Sequence, residues 1–99
     1  MAEKKVTLIV KIKAKKGMEE AVKKELLSLL SLSRSESGCL HYDLHQATDD
    51  KSVFVFYETW KSQKDLDDHC QKPYLVALGA KAEKLFDGPM DVIEVDKIG

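Results

Sequence analysis

Hydrophobic and polar positions alternate along Val6–Ala14, which reads VTLIVKIKA. Val6, Leu8, Val10 and Ile12 fall on one side, and Thr7, Ile9, Lys11 and Lys13 on the other. A period of two predicts a strand, and Lys15-Lys16-Gly17 ends it. From Met18 the spacing changes to steps of three and four. Met18, Val22, Leu26, Leu29, Leu30 and Ser33 form one stripe, which predicts a helix to about Ser33. Glu19 and Glu20 fall in its first turn, where the helix dipole favours negative charge. Ser35–Gly38 is a polar stop. Leu40, Tyr42 and Leu44 then alternate with His41, Asp43 and His45, predicting a strand over Leu40–Gln46. A turn over Ala47–Lys51 follows. Ser52–Trp60 reads SVFVFYETW and is apolar on both faces over Val53–Tyr57. Such a strand is covered on both sides.

Ser62 is a good helix N-cap, with Asp65 three residues on. Leu66, His69, Cys70, Pro73 and Tyr74 form one stripe, and Pro73 ends or kinks the helix. A second helical stretch turns Leu75, Leu78, Ala82, Leu85 and Phe86 inward. Asp87-Gly88-Pro89 is a turn, and Met90–Ile98 a last strand of weaker alternation. The order β-α-β-β-α-β is the α+β, ferredoxin-like split unit, a four-stranded antiparallel sheet with helices on one face. The other face then exposes Ile9, Val53, Val55 and Tyr57, an apolar patch of the kind that marks an interface. A homodimer packed sheet against sheet is the simplest cover.

Ninety-nine residues give one domain, taken as 1–99, without repeats or linkers. Apolar residues make up 43% and charged residues 33%, as in a folded globular protein. Sixteen Lys+Arg against seventeen Asp+Glu leave a net charge of −1, which removes the electrostatic case for nucleic acid and for a polybasic membrane anchor. Cys39 and Cys70 lack CxxC spacing and read as reduced thiols. No apolar leader and no membrane-length apolar run is present, so a cytoplasmic protein is expected.

Among residues that could carry chemistry, His69 lies on the inward stripe between Leu66 and Cys70. There an imidazole could take a proton from a phenol, or merely hydrogen-bond a neighbour. Phe54, Phe56 and Trp60 share a strand face with Glu58. They read as a wall for an aromatic substrate or as ordinary core, with Glu58 orienting His69 or the substrate, or ion-paired at the rim. Tyr42 and Tyr74 could bond a substrate oxygen or simply pack. His41, Asp43 and His45 share one strand face, but that face meets the dimer partner, so no metal site is expected there. Cys70 and His69 are helix neighbours pointing about 100° apart, poorly placed to share a proton.

The segments Glu36-Ser-Gly-Cys-Leu-His-Tyr-Asp-Leu-His45, Phe54-Val-Phe-Tyr-Glu-Thr-Trp60 and Leu66-Asp-Asp-His69 together resemble the antibiotic biosynthesis monooxygenase family. The likeness rests on the order E-x-G-C-x-x-Y, Y-E-x-W and L-x-x-H, and spans about residues 5–95. It implies a dimeric α/β barrel of two ferredoxin-like protomers. It also implies a choice among quinol or anthrone oxidation without metal or flavin, haem degradation, and isomerisation of a phosphorylated signal. Family members often carry Pro-His where Pro73-Tyr74 stands here. The positions used by the haem-degrading branch correspond to Val10, His69 and Gly79, all different, so haem degradation is not expected.

The sequence therefore leads to a cofactor-independent monooxygenase that oxidises a hydroquinone or polyphenol with molecular oxygen. No cofactor and no metal are expected. His69 would be its base and Glu58 would orient, with Tyr42, Phe54, Phe56, Trp60, Leu66 and Tyr74 lining a pocket between sheet and helices. Two alternatives stand beside it. One is an isomerase of a small carbonyl compound, for which Lys72 or Lys81 would anchor a phosphate. The other is a dimeric binding module without catalysis.

Overall fold

A computed structural model of the protein describes residues 4–99. Residues 1–3, counted into the expected domain, lie outside the described residues. The elements run β1 (Val6–Lys13), α1 (Glu19–Leu27), α2 (Leu30–Arg34), β2 (Cys39–Gln46), β3 (Val53–Trp60), α3 (Gln63–Cys70), α4 (Pro73–Leu85) and β4 (Asp91–Val95). The strands form one antiparallel sheet in the order β2-β3-β1-β4. This is the ferredoxin-like α+β arrangement that the pattern of periods predicts. Among the described residues no helix is long and apolar enough to cross a membrane.

Register fixes which side chains meet. Val10 of β1 stands opposite Phe56 of β3, and Ile12 opposite Phe54. With Val6, Leu8 and Trp60 they form the inner face, buried against Val22, Leu26, Leu66, Leu78 and Leu85 of the helices. Burying one such side chain contributes about 1.5–3 kcal/mol. The outer face carries Ile9, Val53, Val55 and Tyr57, as the alternation requires. Among the described residues of one chain nothing lies over it: Tyr57 is 39% exposed, and Ile93 of β4 60%. The two-sided apolar pattern of β3 is thus satisfied on one side only.

Two helices depart from the simplest reading of their stripes. The stretch from Met18 to Ser33 is not one helix but two, α1 and α2. The Ser28 hydroxyl takes the Glu25 carbonyl at 2.5 Å, and the Leu29 N–H turns to Leu26 O at 3.2 Å, a tighter turn than an α-helix makes. A serine hydroxyl that captures a main-chain carbonyl competes with the regular ladder in this way. The later helical region divides at Pro73, which opens α4 as its first residue. The preceding Lys72 is extended, with ψ 144°, as a residue before proline must be. The last strand is shorter than the expected Met90–Ile98, and most of it stays exposed.

The N-terminus of α3 is held at two points. The Ser62 hydroxyl accepts the Asp65 N–H at 3.2 Å, the predicted cap. Gly38 lies against the same Asp65: a Cβ at that glycine would come within 2.3 Å of the Asp65 side chain. The Lys61 N–H, just before α3, donates to Gly38 O at 2.9 Å. The glycine of the E-x-G-C segment thus lets the start of α3 close onto the start of β2.

Candidate active site

His69 comes from the last turn of α3 and is only 2% exposed. Its Nδ1 lies 2.7 Å from Glu36 Oε2. Glu36 sits between α2 and β2, where its N–H reaches Ser33 O and its carbonyl receives the Cys39 N–H. The Tyr74 hydroxyl, from the first turn of α4, donates to the same Oε2. An oxygen that meets both a phenol and an imidazole nitrogen accepts from both. In the neutral ring this puts the His69 proton on Nδ1 and leaves the second ring nitrogen, Nε2, as a proton acceptor.

The imidazole is held in orientation by rings. Trp60 lies against it with centroids 4.3 Å apart and planes at 34°. Tyr42 meets its edge at 5.4 Å. The Trp60 N–H donates to Glu58 Oε1 at 3.0 Å, joining residues two apart on one strand face. Glu58 is in turn the register partner of Tyr42. Burial holds the Glu58 carboxyl above the usual carboxylate range, partly offset by the Trp60 N–H and by His69. Burial also pushes the Tyr42 phenol well above its usual value, with Glu58 adding to the shift.

A cavity of about 670 Å³ opens beside these groups, between the sheet and the helices. That is the size of a small-molecule site. His69, Glu58, Tyr42, Phe56 and Leu66 line it, as the sequence expects. Three of the expected lining residues stand elsewhere. Phe54 is fully buried in the core, Trp60 backs His69, and Tyr74 turns its hydroxyl to Glu36 rather than to the cavity. Leu8, Val10, Leu75 and Leu78 supply further apolar wall, and Met90, Val92 and Glu94 form the open edge at β4.

Lys72 and Lys81 are not on the cavity, and Lys81 is bound to Glu25 at 2.9 Å. Cys70 does line it, but burial raises its thiol pKa, which works against a reactive thiolate. The Cys39 thiol is pushed up to about 11, by burial first and then by Glu36 and Glu58. On β2, His45 Nδ1 lies 3.3 Å from Val55 O, and the His41 ring is tilted at 52° to that of Tyr57, centroids 6.1 Å apart. Among the described residues no group of three or more His, Cys, Asp or Glu is gathered as a metal would need.

Sequence reasoning missed Glu36 and Glu94 as site residues. Glu36 had a signal, since it opens the E-x-G-C segment. Its partner His69 is 33 residues on, however, and only the tertiary fold joins them. Glu94 had none beyond the weak alternation of the last strand.

Comparison with known proteins agrees with this fold. Residues 5–81 match the sequence pattern of the family described as antibiotic biosynthesis monooxygenase. The "Putative monooxygenase YcnE" of Bacillus subtilis is 30% identical over 91 residues, covering 92% of this chain and 96% of that protein. The crystal structure of PA3566 from Pseudomonas aeruginosa superposes with a TM-score of 0.93 at 30% identity, over 100% of this chain and 99% of that one. Rv0793 from Mycobacterium tuberculosis shares the fold, with a TM-score of 0.89 at 24% identity over 97% of each chain. The match over most of the chain places this protein in the antibiotic biosynthesis monooxygenase family.

Proposed function

We propose that the protein is a cofactor-independent monooxygenase that oxidises a small polyphenol or hydroquinone with molecular oxygen. The observation that carries this reading is a buried imidazole on an apolar cavity, with its Nδ1 2.7 Å from Glu36 Oε2. His69 Nε2 takes the phenolic proton. Glu36 fixes the tautomer and steadies the imidazolium that results. The phenolate is electron-rich enough to reduce oxygen directly. At an open ring carbon, one oxygen atom becomes a new carbonyl and the other leaves as water, so no external reductant is consumed. Apolar walls keep bulk water from the reacting anion. Independence from metal and flavin rests on the family resemblance. The exposed outer sheet face, with Tyr57 and Ile93, supports a homodimer joined there.

A second reading draws on Glu58. A carboxyl whose hold on its proton burial strengthens, near a base, could donate to a carbonyl oxygen while His69 removes a carbon-bound proton. That is an isomerase. The cavity offers no lysine or arginine for a phosphorylated substrate. Turnover of a panel of hydroquinones by metal-free protein, with and without oxygen, separates the two. A monooxygenase stops under nitrogen. Turnover that continues at the same rate without oxygen would replace it with the isomerase.

A further inference from the structure

The charged side chains on the cavity are of one sign. Glu58 and Glu94 line it, and no lysine or arginine does. The sheet register sets both in one row: Glu58 stands opposite Leu8 between β3 and β1, and Leu8 stands opposite Glu94 between β1 and β4. Directly opposed residues share a face, so both carboxylates stand on the cavity side with Leu8 between them. Two strand spacings separate their backbones by roughly 10 Å. Their surroundings differ. Glu58 is 6% exposed and bonded to Trp60, at the His69 end. Glu94 is exposed at the open edge, and no hydrogen bond or ion pair among the described residues holds it. Between them the wall is apolar.

We propose that this row selects substrates by charge. The cavity takes planar phenols that are neutral or carry an amine, and it rejects those bearing a carboxylate, sulfonate or phosphate. Glu94 is the specificity-determining residue at the mouth. The inference rests on reading the cavity as the substrate site. Its physical basis is that an anion buried here gives up its hydration and meets no lysine or arginine in return. At the rim, Glu94 repels such an anion and attracts an ammonium group about 10 Å from the Glu58 end of the row. One such pair in a water-like dielectric changes affinity about threefold, and the effect shrinks with added salt.

The test uses the full chain and three probes built on a 2-naphthol core. The far ring carries an ethyl, an aminomethyl or a carboxymethyl group, giving neutral, positive and negative versions of similar reach. Dissociation constants are read from NMR shift titrations of wild type and Glu94→Gln. The carboxymethyl probe should bind at least about tenfold more weakly than the ethyl probe, and the aminomethyl probe as tightly or more so. Glu94→Gln should narrow the gap between aminomethyl and carboxymethyl probes about ninefold, about threefold from each probe. Equal binding of all three overturns charge selection and leaves the aromatic-substrate reading in place. A gap unchanged in Glu94→Gln overturns the role of Glu94. If no probe shifts the resonances of Leu8, His69 or Leu78, the aromatic-substrate reading itself falls, and this inference with it.

Discussion

Glu58 carries a carboxyl into an apolar wall, where Trp60 donates the one protein hydrogen bond that meets it among the described residues. Because burial raises its folded-state pKa above the unfolded 4.5, the folded chain holds this proton more tightly than the unfolded one. The stability that goes with that proton is fully present below pH 4.5 and is lost as pH rises through the folded value. Glu58→Gln removes the charge and keeps an acceptor for Trp60. It should therefore melt above wild type near neutral pH, with the difference closing as pH falls toward 4.5. Calorimetry across that range checks it, and equal melting throughout would show that the buried carboxyl carries no penalty. Residues of this kind were partly legible in the sequence. His69 and Glu58 each break an apolar stripe, which is visible without a structure. Glu36 is polar in a polar turn, so nothing local separates it from its neighbours. Tyr74 reads as substrate-facing from its stripe, but Pro73 starts a new helix and the Tyr74 hydroxyl goes to Glu36 instead.

The elements that place His69 meet at Gly38, where β2 begins and α3 starts. A methyl group there runs into Asp65, the residue whose N–H the Ser62 cap holds. Gly38→Ala should lower stability by about 1–3 kcal/mol, as overpacking does. It should also reduce turnover, because α3 must shift and His69 moves with it. Urea unfolding gives the first number, and an unchanged midpoint would mean the contact relaxes freely. Strands β1, β2 and β3 were legible because a period of two shows in a short window. The division of α1 from α2 was not. Both halves keep the same apolar stripe, and the break comes from one serine hydroxyl capturing a carbonyl. Strand β4 was over-extended for a related reason: its alternation is weak because its inner residues, Val92 and Glu94, border an open cavity rather than a core.

The whole molecule is a sheet with helices on one side only, and its outer face presents Ile9, Val55, Tyr57 and Ile93. Sedimentation of wild type should give twice the 11.2 kDa chain mass, and a Tyr57→Asp, Ile93→Asp double variant should sediment as a folded monomer. A wild type that stays monomeric at high concentration would contradict the sheet-to-sheet dimer. This face was legible from the two-sided apolar run in β3. The cavity volume and its one-signed lining were not, since they depend on how far α4 stands from β4.

The central claim is that His69, oriented by Glu36, starts the oxidation by removing a phenolic proton. Its most direct test is oxygen uptake by metal-free protein with a hydroquinone panel, the spontaneous rate subtracted, for wild type, His69→Ala and Glu36→Gln. Wild type should take up oxygen above background. His69→Ala should lower it about 10²–10⁴-fold, the usual contribution of a positioned base. Glu36→Gln should fall between the two, because the imidazole is still present but no longer held by a charge. Wild-type uptake that His69→Ala leaves undiminished would contradict the claim.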